Sequence, residues 1–211
     1  AEKTLPGTIK KLKNKQPLKI VFFGNSIETG CNSSGFMNEP PYMPSWPELI
    51  VHDLKQHYAG KIDFNNQSVG GKIAQWGRDV VDTTVVPQNP DLVVIGFGMN
   101  DGTFGVPVQQ YLDNIKAIMD AVLAKNPKAE FVLIATMLAN PHAVQNNIQA
   151  TYKAGLDKLA KTGVVVADLT GVHAELLKYK SYQDMTGNNV NHPNDYLARW
   201  YAQYIAGLFI K

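Results

Sequence analysis

Apolar residues along the chain fall into two kinds of run. Five runs are short, near-continuous and rich in β-branched residues, each bounded by turn formers, at roughly 18–23, 62–68, 91–97, 130–137 and 163–168. Runs of this length predict strands, and their lack of polar alternation predicts a sheet covered on both faces. Between them, apolar positions recur at three- and four-residue spacing. Val108, Tyr111, Leu112, Ile115, Ile118, Met119 and Val122 share one helical face, beginning just after Pro107, a residue suited to the first turn of a helix. Ser45 and Glu48 stand at capping-box spacing ahead of Leu49, Ile50 and Leu54. The last segment presents Leu197, Trp200, Tyr201, Tyr204, Ile205 and Leu208 in the same way, with Asp195 as its expected N-cap.

Strand and helix therefore alternate throughout. This predicts an α/β protein, a three-layer α/β/α arrangement around a parallel sheet with right-handed crossovers. Its 211 residues suit one domain spanning 1–211. In that architecture a functional cleft lies outside the carboxyl ends of the strands.

Charge narrows the partners. Twenty Lys and Arg against eighteen Asp and Glu give a net charge of +2, with no long basic run, which argues against nucleic acid. Lys10, Lys11, Lys13 and Lys15 read as a solvated helix face. The longest apolar runs, such as FVLIATMLA from Phe131, fall short of the ~20 residues of a membrane span, so no membrane partner is expected. The single cysteine, Cys31, excludes an internal disulfide and a Cys-based zinc cluster. His52, His57, His142 and His173 share no ligand spacing, so no metal is expected. GFGMND has Asp101 where a dinucleotide fingerprint needs its third glycine, and GNSIETG lacks the Gly-Lys-Ser/Thr ending of a phosphate loop. No cofactor is predicted. The absence of a Gly-x-Ser-x-Gly elbow argues against an α/β-hydrolase.

Candidate chemistry sits after the strands. GNS with Ser26 follows the first, NNQSVGGK with Gly70 and Gly71 the second, GFGMND with Asn100 and Asp101 the third, and GNNVNHPND with His192 lies beyond the fifth. Ester hydrolysis by serine needs a hydroxyl, a base for its proton and donors aimed at the developing oxyanion. Ser26 offers the hydroxyl and His192 the base; the N–H groups of Ser26 and a glycine, with the Asn100 amide, offer the donors. Alone, Ser26 would read as a helix cap and Asn100 and Asp101 as turn formers.

Taken together these blocks resemble the SGNH (GDSL-type) hydrolase superfamily, named for Ser, Gly, Asn and His in four separated blocks. Gly24-Asn25-Ser26 matches its Gly-Asp-Ser, NQSVGG its glycine block, Gly98-Met99-Asn100-Asp101 its Gly-x-Asn-Asp, and Asn189-Val190-Asn191-His192 its Asp-x-x-His. The resemblance implies a flavodoxin-like, five-stranded parallel sheet. It also implies Ser26 as nucleophile, His192 as base, and an oxyanion hole of Ser26, Gly71 (or Gly70, one residue away) and Asn100. Asp101 then braces its loop.

Two positions depart from the pattern. Asn25 replaces an aspartate outside the proton transfers and is expected to affect loop hydrogen bonding. Asn189 replaces the triad acid, where Asp-to-Asn in a serine protease costs about 10⁴-fold in kcat. Three readings stay open: the Asn189 carbonyl orients His192, a backbone carbonyl or another carboxylate such as Asp184 or Asp195 does so, or catalysis is lost.

The favoured substrate is a small-molecule or polysaccharide ester, specifically an O-acetylated carbohydrate. The loop CNSSGFMNEPPYMPSW offers Asn, Ser, Tyr42 and Trp46, a polar and aromatic mixture, although Trp46 at a helix start equally suits the core. NHPND and MLANP also resemble secreted bacterial carbohydrate-esterase-like members, which implies a secreted or periplasmic location. The alternatives are a lysophospholipase or short-chain acyl esterase, and a catalytically silent carbohydrate-binding protein.

Overall fold

The computed structural model describes residues 3–143 and 147–210. In chain order its elements are α1 (Pro6–Lys13), β1 (Leu18–Gly24), α2 (Ser34–Met37), α3 (Trp46–His57), β2 (Ile62–Asn66), α4 (Ala74–Thr84) and β3 (Leu92–Gly96). There follow α5 (Met99–Thr103), α6 (Val108–Lys125), β4 (Glu130–Ala135), α7 (Gln149–Asp157), β5 (Val164–Asp168), α8 (Leu169–Leu176) and α9 (Asp195–Ala206). The strands form one parallel five-stranded sheet in the order β2-β1-β3-β4-β5, the α/β architecture expected from the alternation.

Side-chain alternation along each central strand divides the core in two. Ile20, Phe22, Leu92, Val94, Val132 and Ile134 face one layer, packed with α1, α3 and α9. Val21, Phe23, Val93, Ile95, Phe131 and Leu133 face the other, packed with α4, α6 and α7. Both faces are thus apolar, which is why these strands read as continuous runs rather than alternating ones.

Four details differ from the sequence expectation, the first being that the fourth strand ends at Ala135 rather than 137. The second strand ends at Asn66 rather than 68, and only Ile62 of it is buried, because it lies at the sheet edge. The chain nevertheless keeps bonding to β1, Gln67 N–H to the Phe22 carbonyl at 2.8 Å and Val69 N–H to that of Gly24 at 3.1 Å. The cap of α9 is Asn194, whose side chain accepts from the N–H groups of Tyr196 and Leu197; Asp195 is already inside the helix. On α9 the buried stripe runs through Leu197, Tyr201 and Ile205, while Trp200 and Tyr204 face solvent. The Ser45–Glu48 pairing forms as expected, with Ser45 N–H donating to Glu48 at 2.8 Å.

Candidate active site

The segment after β1 bends back on itself. Thr29 N–H donates to the Asn25 carbonyl, and Cys31 N–H and the Thr29 hydroxyl donate to that of Ser26. No helix starts at Ser26, so it is not a cap. Asn25 braces this loop as its chemistry suggested: its amide nitrogen donates to the Gly96 carbonyl at 3.0 Å and its oxygen accepts from Ile27 N–H at 3.0 Å. Beneath the loop lies Glu28, wholly buried, with one oxygen accepting from Asn25 N–H at 2.8 Å and the other without a partner. It fits only because two neighbouring strand ends lack side chains. A Cβ at Gly24 or Gly96 would come within 2.5 or 2.2 Å of its carboxylate. Burial raises the Glu28 pKa from 4.5 to about 8.

The half-buried Ser26 hydroxyl lies 2.8 Å from Nε2 of His192, joining residues 166 positions apart. Of the glycines, Gly70 faces the serine, its Cβ position 3.7 Å from that of Ser26, while Gly71 takes a φ of +76° with open space around it. The hydrogen bond from Val69 to β1 is what carries this pair to the nucleophile loop. Asn100 donates one amide N–H to the Lys72 carbonyl at 2.9 Å, so the GG and GMND segments are tied together. Asp101 is buried and accepts from Ala74 N–H at 2.9 Å and Gly98 N–H at 3.0 Å, bracing both segments. Burial raises its pKa to about 6.

Asn189 is not at the histidine. It is exposed, in the left-handed region at φ +57°, and its backbone carbonyl accepts from the Asn140 amide at 2.8 Å. Nδ1 of His192 instead faces two other asparagines, Oδ1 of Asn32 at 2.7 Å and Nδ2 of Asn188 at 3.1 Å. The carboxylates considered from sequence are engaged elsewhere. Asp184 accepts from Ser181 N–H and hydroxyl at 2.9 and 2.8 Å, and Asp195 accepts from Ser34 N–H and hydroxyl at 2.7 and 2.6 Å. Burial lowers the His192 pKa, which favours the neutral base.

Asn32 and Asn188 were missed from sequence. An amide a few residues past a candidate nucleophile has no spacing signature, and the Asn32–His192 contact spans 160 positions. Of the loop's aromatics, Tyr42 is 58% exposed, whereas Trp46 is buried against Phe22 and Tyr201 and donates to the Ile27 carbonyl at 2.9 Å. Trp46 is therefore core, and not available to a ligand. A cavity of about 370 Å³ is lined by Asn32, Ser34, Met37, Glu39, Asn194 and Tyr196, among others. Among the described residues no helix is long and apolar enough to cross a membrane.

Residues 22–200 match the model of the GDSL-like lipase/acylhydrolase family. An arylesterase of Vibrio mimicus is 27% identical over 116 residues, 55% of this chain and 53% of that protein. A two-domain esterase active on acetylated mannans superposes with a TM-score of 0.78 at 19% identity, over 99% of this chain and 53% of the other. A catalytic mutant of an acetylxylan esterase from Geobacillus stearothermophilus superposes with a TM-score of 0.74 at 17% identity, over 92% of this chain and 95% of the other. The chain thus spans about half the length of the arylesterase and of the mannan esterase.

Proposed function

The chain belongs to the GDSL-like lipase/acylhydrolase family, and from that premise we propose that it is a serine esterase removing O-acetyl groups from carbohydrates. The observation that supports this best is the 2.8 Å contact between Ser26 Oγ and His192 Nε2 at the carboxyl edge of the sheet. In the proposed reaction Nε2 takes the hydroxyl proton as Ser26 Oγ attacks the ester carbonyl. The oxyanion is met by the N–H groups of Ser26 and of the Gly70-Gly71 turn, Gly71 foremost, and by the second amide N–H of Asn100. The tetrahedral intermediate collapses as Nε2 returns its proton to the leaving alkoxide, leaving an acyl-Ser26 ester. Water then adds to that ester, giving its proton to Nε2, and the carboxylic acid leaves as Ser26 regains a proton.

The carbohydrate preference rests on the surroundings. The cavity touching Asn32 mixes the amides of Asn32 and Asn194, the Ser34 hydroxyl, Glu39 and Tyr196 with Met37, Pro40 and Pro41, a polar and apolar surface suited to a sugar ring. Proteins named for acetylated mannan and acetylxylan share the fold. A polysaccharide substrate lies outside the cytoplasm, which is where we place the enzyme.

Turnover of p-nitrophenyl esters from acetate to octanoate, by wild type and Ser26→Ala, tests both levels. Acetate is expected to be preferred, with Ser26→Ala lower by on the order of 10⁴-fold or more. Full activity in Ser26→Ala would end the serine mechanism, whereas a preference for octanoate would favour a lysophospholipase or general acyl esterase. Release of acetate from acetylated xylan or mannan then checks the polymer directly.

A further inference from the structure

We propose that Asn32, a neutral amide from the nucleophile's own loop, is the positioning residue of the His192 base, and that it does so by selecting the ring tautomer against an opposing donor, Asn188. The proposal rests on the Ser26–His192 reading above.

His192 can take the Ser26 proton only if Nε2 is bare, so in the neutral ring the proton must sit on Nδ1. Two amides meet Nδ1 with opposite demands. Asn188 is fixed: its oxygen accepts from the N–H groups of Val190, Asn191 and His192, each at 3.0 Å, so it is Nδ2 that faces the ring. A donor there favours a bare Nδ1 and hence the unproductive tautomer. Asn32 presents an oxygen at the shorter distance, 2.7 Å against 3.1 Å, and accepts the Nδ1 proton. The Cys31 thiol, 3.7 Å from the same Oδ1, also donates to it, which is consistent with oxygen at that position.

The fold commits Asn32 to this pose. Its backbone lies in the left-handed region, φ +68°, which asparagine tolerates better than most residues. Gly187 packs so close that a Cβ there would lie 2.6 Å from Asn32 Cβ. Both ring nitrogens are thereby gripped by one loop, Nε2 by Ser26 and Nδ1 by Asn32. When Nε2 takes the serine proton, the Nδ1 proton stays where it is and Asn32 keeps accepting it. Among the described residues neither carboxylate weighed as an orienter bonds to the ring: Asp195 accepts from Ser34 and Asp184 from Ser181, while the Cys31 thiol donates to Asn32.

The ¹⁵N spectrum of resting wild-type protein, labelled at histidine, is expected to show His192 protonated at Nδ1, and Asn32→Ala is expected to move the proton to Nε2. In kinetics, Asn32→Ala should lower kcat by up to about 10⁴-fold, the size of a wrong-tautomer triad, with little change in KM. Asn32→Asp should restore kcat and move the acidic limb of the kcat/KM profile to higher pH, because a carboxylate stabilises the imidazolium. An Nε2–H ring in the wild type would overturn the proposal even if Asn32→Ala failed to fold. So would an unchanged kcat and pH profile in a folded Asn32→Ala. The tautomer is read without turnover, so this result stands apart from whether Ser26→Ala abolishes esterase activity.

Discussion

Asn100 spends one amide N–H on the Lys72 carbonyl, and that bond fixes where its second N–H points. In the proposed oxyanion role, a donor held in place before the reaction needs no reorganisation when charge develops, so its loss is expected to fall on the transition state. Asn100→Ala is expected to lower kcat by about 10²–10³-fold with KM near wild type on p-nitrophenyl acetate. An equal rise in KM with kcat unchanged would make it a ground-state binder instead. Ser26, Gly71, Asn100 and His192 were visible as candidates because each sits in a short contiguous block. Asn32 was not, because its partner lies 160 positions away and only folding pairs them. The same limit explains Asn189: its spacing from His192 suited an orienter, but its left-handed backbone turns it out to solvent.

Between elements, α4 rests directly on the end of β3. A Cβ on Gly77 would meet the Phe97 ring at 2.7 Å and Ile118 at 3.0 Å, and Phe97 is followed at once by Gly98, Met99 and Asn100. Gly77→Ala is expected to destabilise the fold by about 1–3 kcal/mol through overpacking, despite alanine's better helix propensity. Chemical denaturation measures it; a more stable variant would show that the ring yields freely. Element type was legible wherever burial is two-sided, since β3 is apolar throughout and β1 and β4 are apolar but for Lys19 and Glu130 near their starts. It was less so at the edge, where β2 carries Asp63, Asn65 and Asn66 and its end blurs into the glycine loop. The cap of α9 was misplaced by one residue because Asn194 and Asp195 are both good caps, and the folded chain separates them by giving Asn194 the helix N–H groups and Asp195 the bonds to Ser34.

For the molecule as a whole, buried Glu28 makes stability depend on pH with an unusual sign. The folded chain keeps its proton to about pH 8, while an unfolded glutamate releases it near 4.5, so unfolding releases a proton and stability falls as pH rises between them. His173, buried and lowered from 6.5 to about 4, acts oppositely, because unfolding takes up a proton as pH falls through that window; Asp101, raised from 3.8 to about 6, has the Glu28 sign at lower pH. From pH 6.5 to 8, therefore, Glu28 dominates these three. Wild-type Tm is expected to fall by several degrees across that range, at most about 1.4 kcal/mol per pH unit, while Glu28→Gln stays flat. The same slope in both proteins would assign the effect to another group.

Holding both ring nitrogens from one short loop also shapes how the site fails. His192 rides on the segment 186–193, pinned at its ends by the Thr186–Pro193 bridge. Any drift of that segment away from the nucleophile loop strains the bonds to Ser26 and Asn32 together. Mild heat or denaturant should then reduce the number of working molecules while each survivor keeps its full rate, so that the proposed esterase activity is lost by headcount rather than by fatigue.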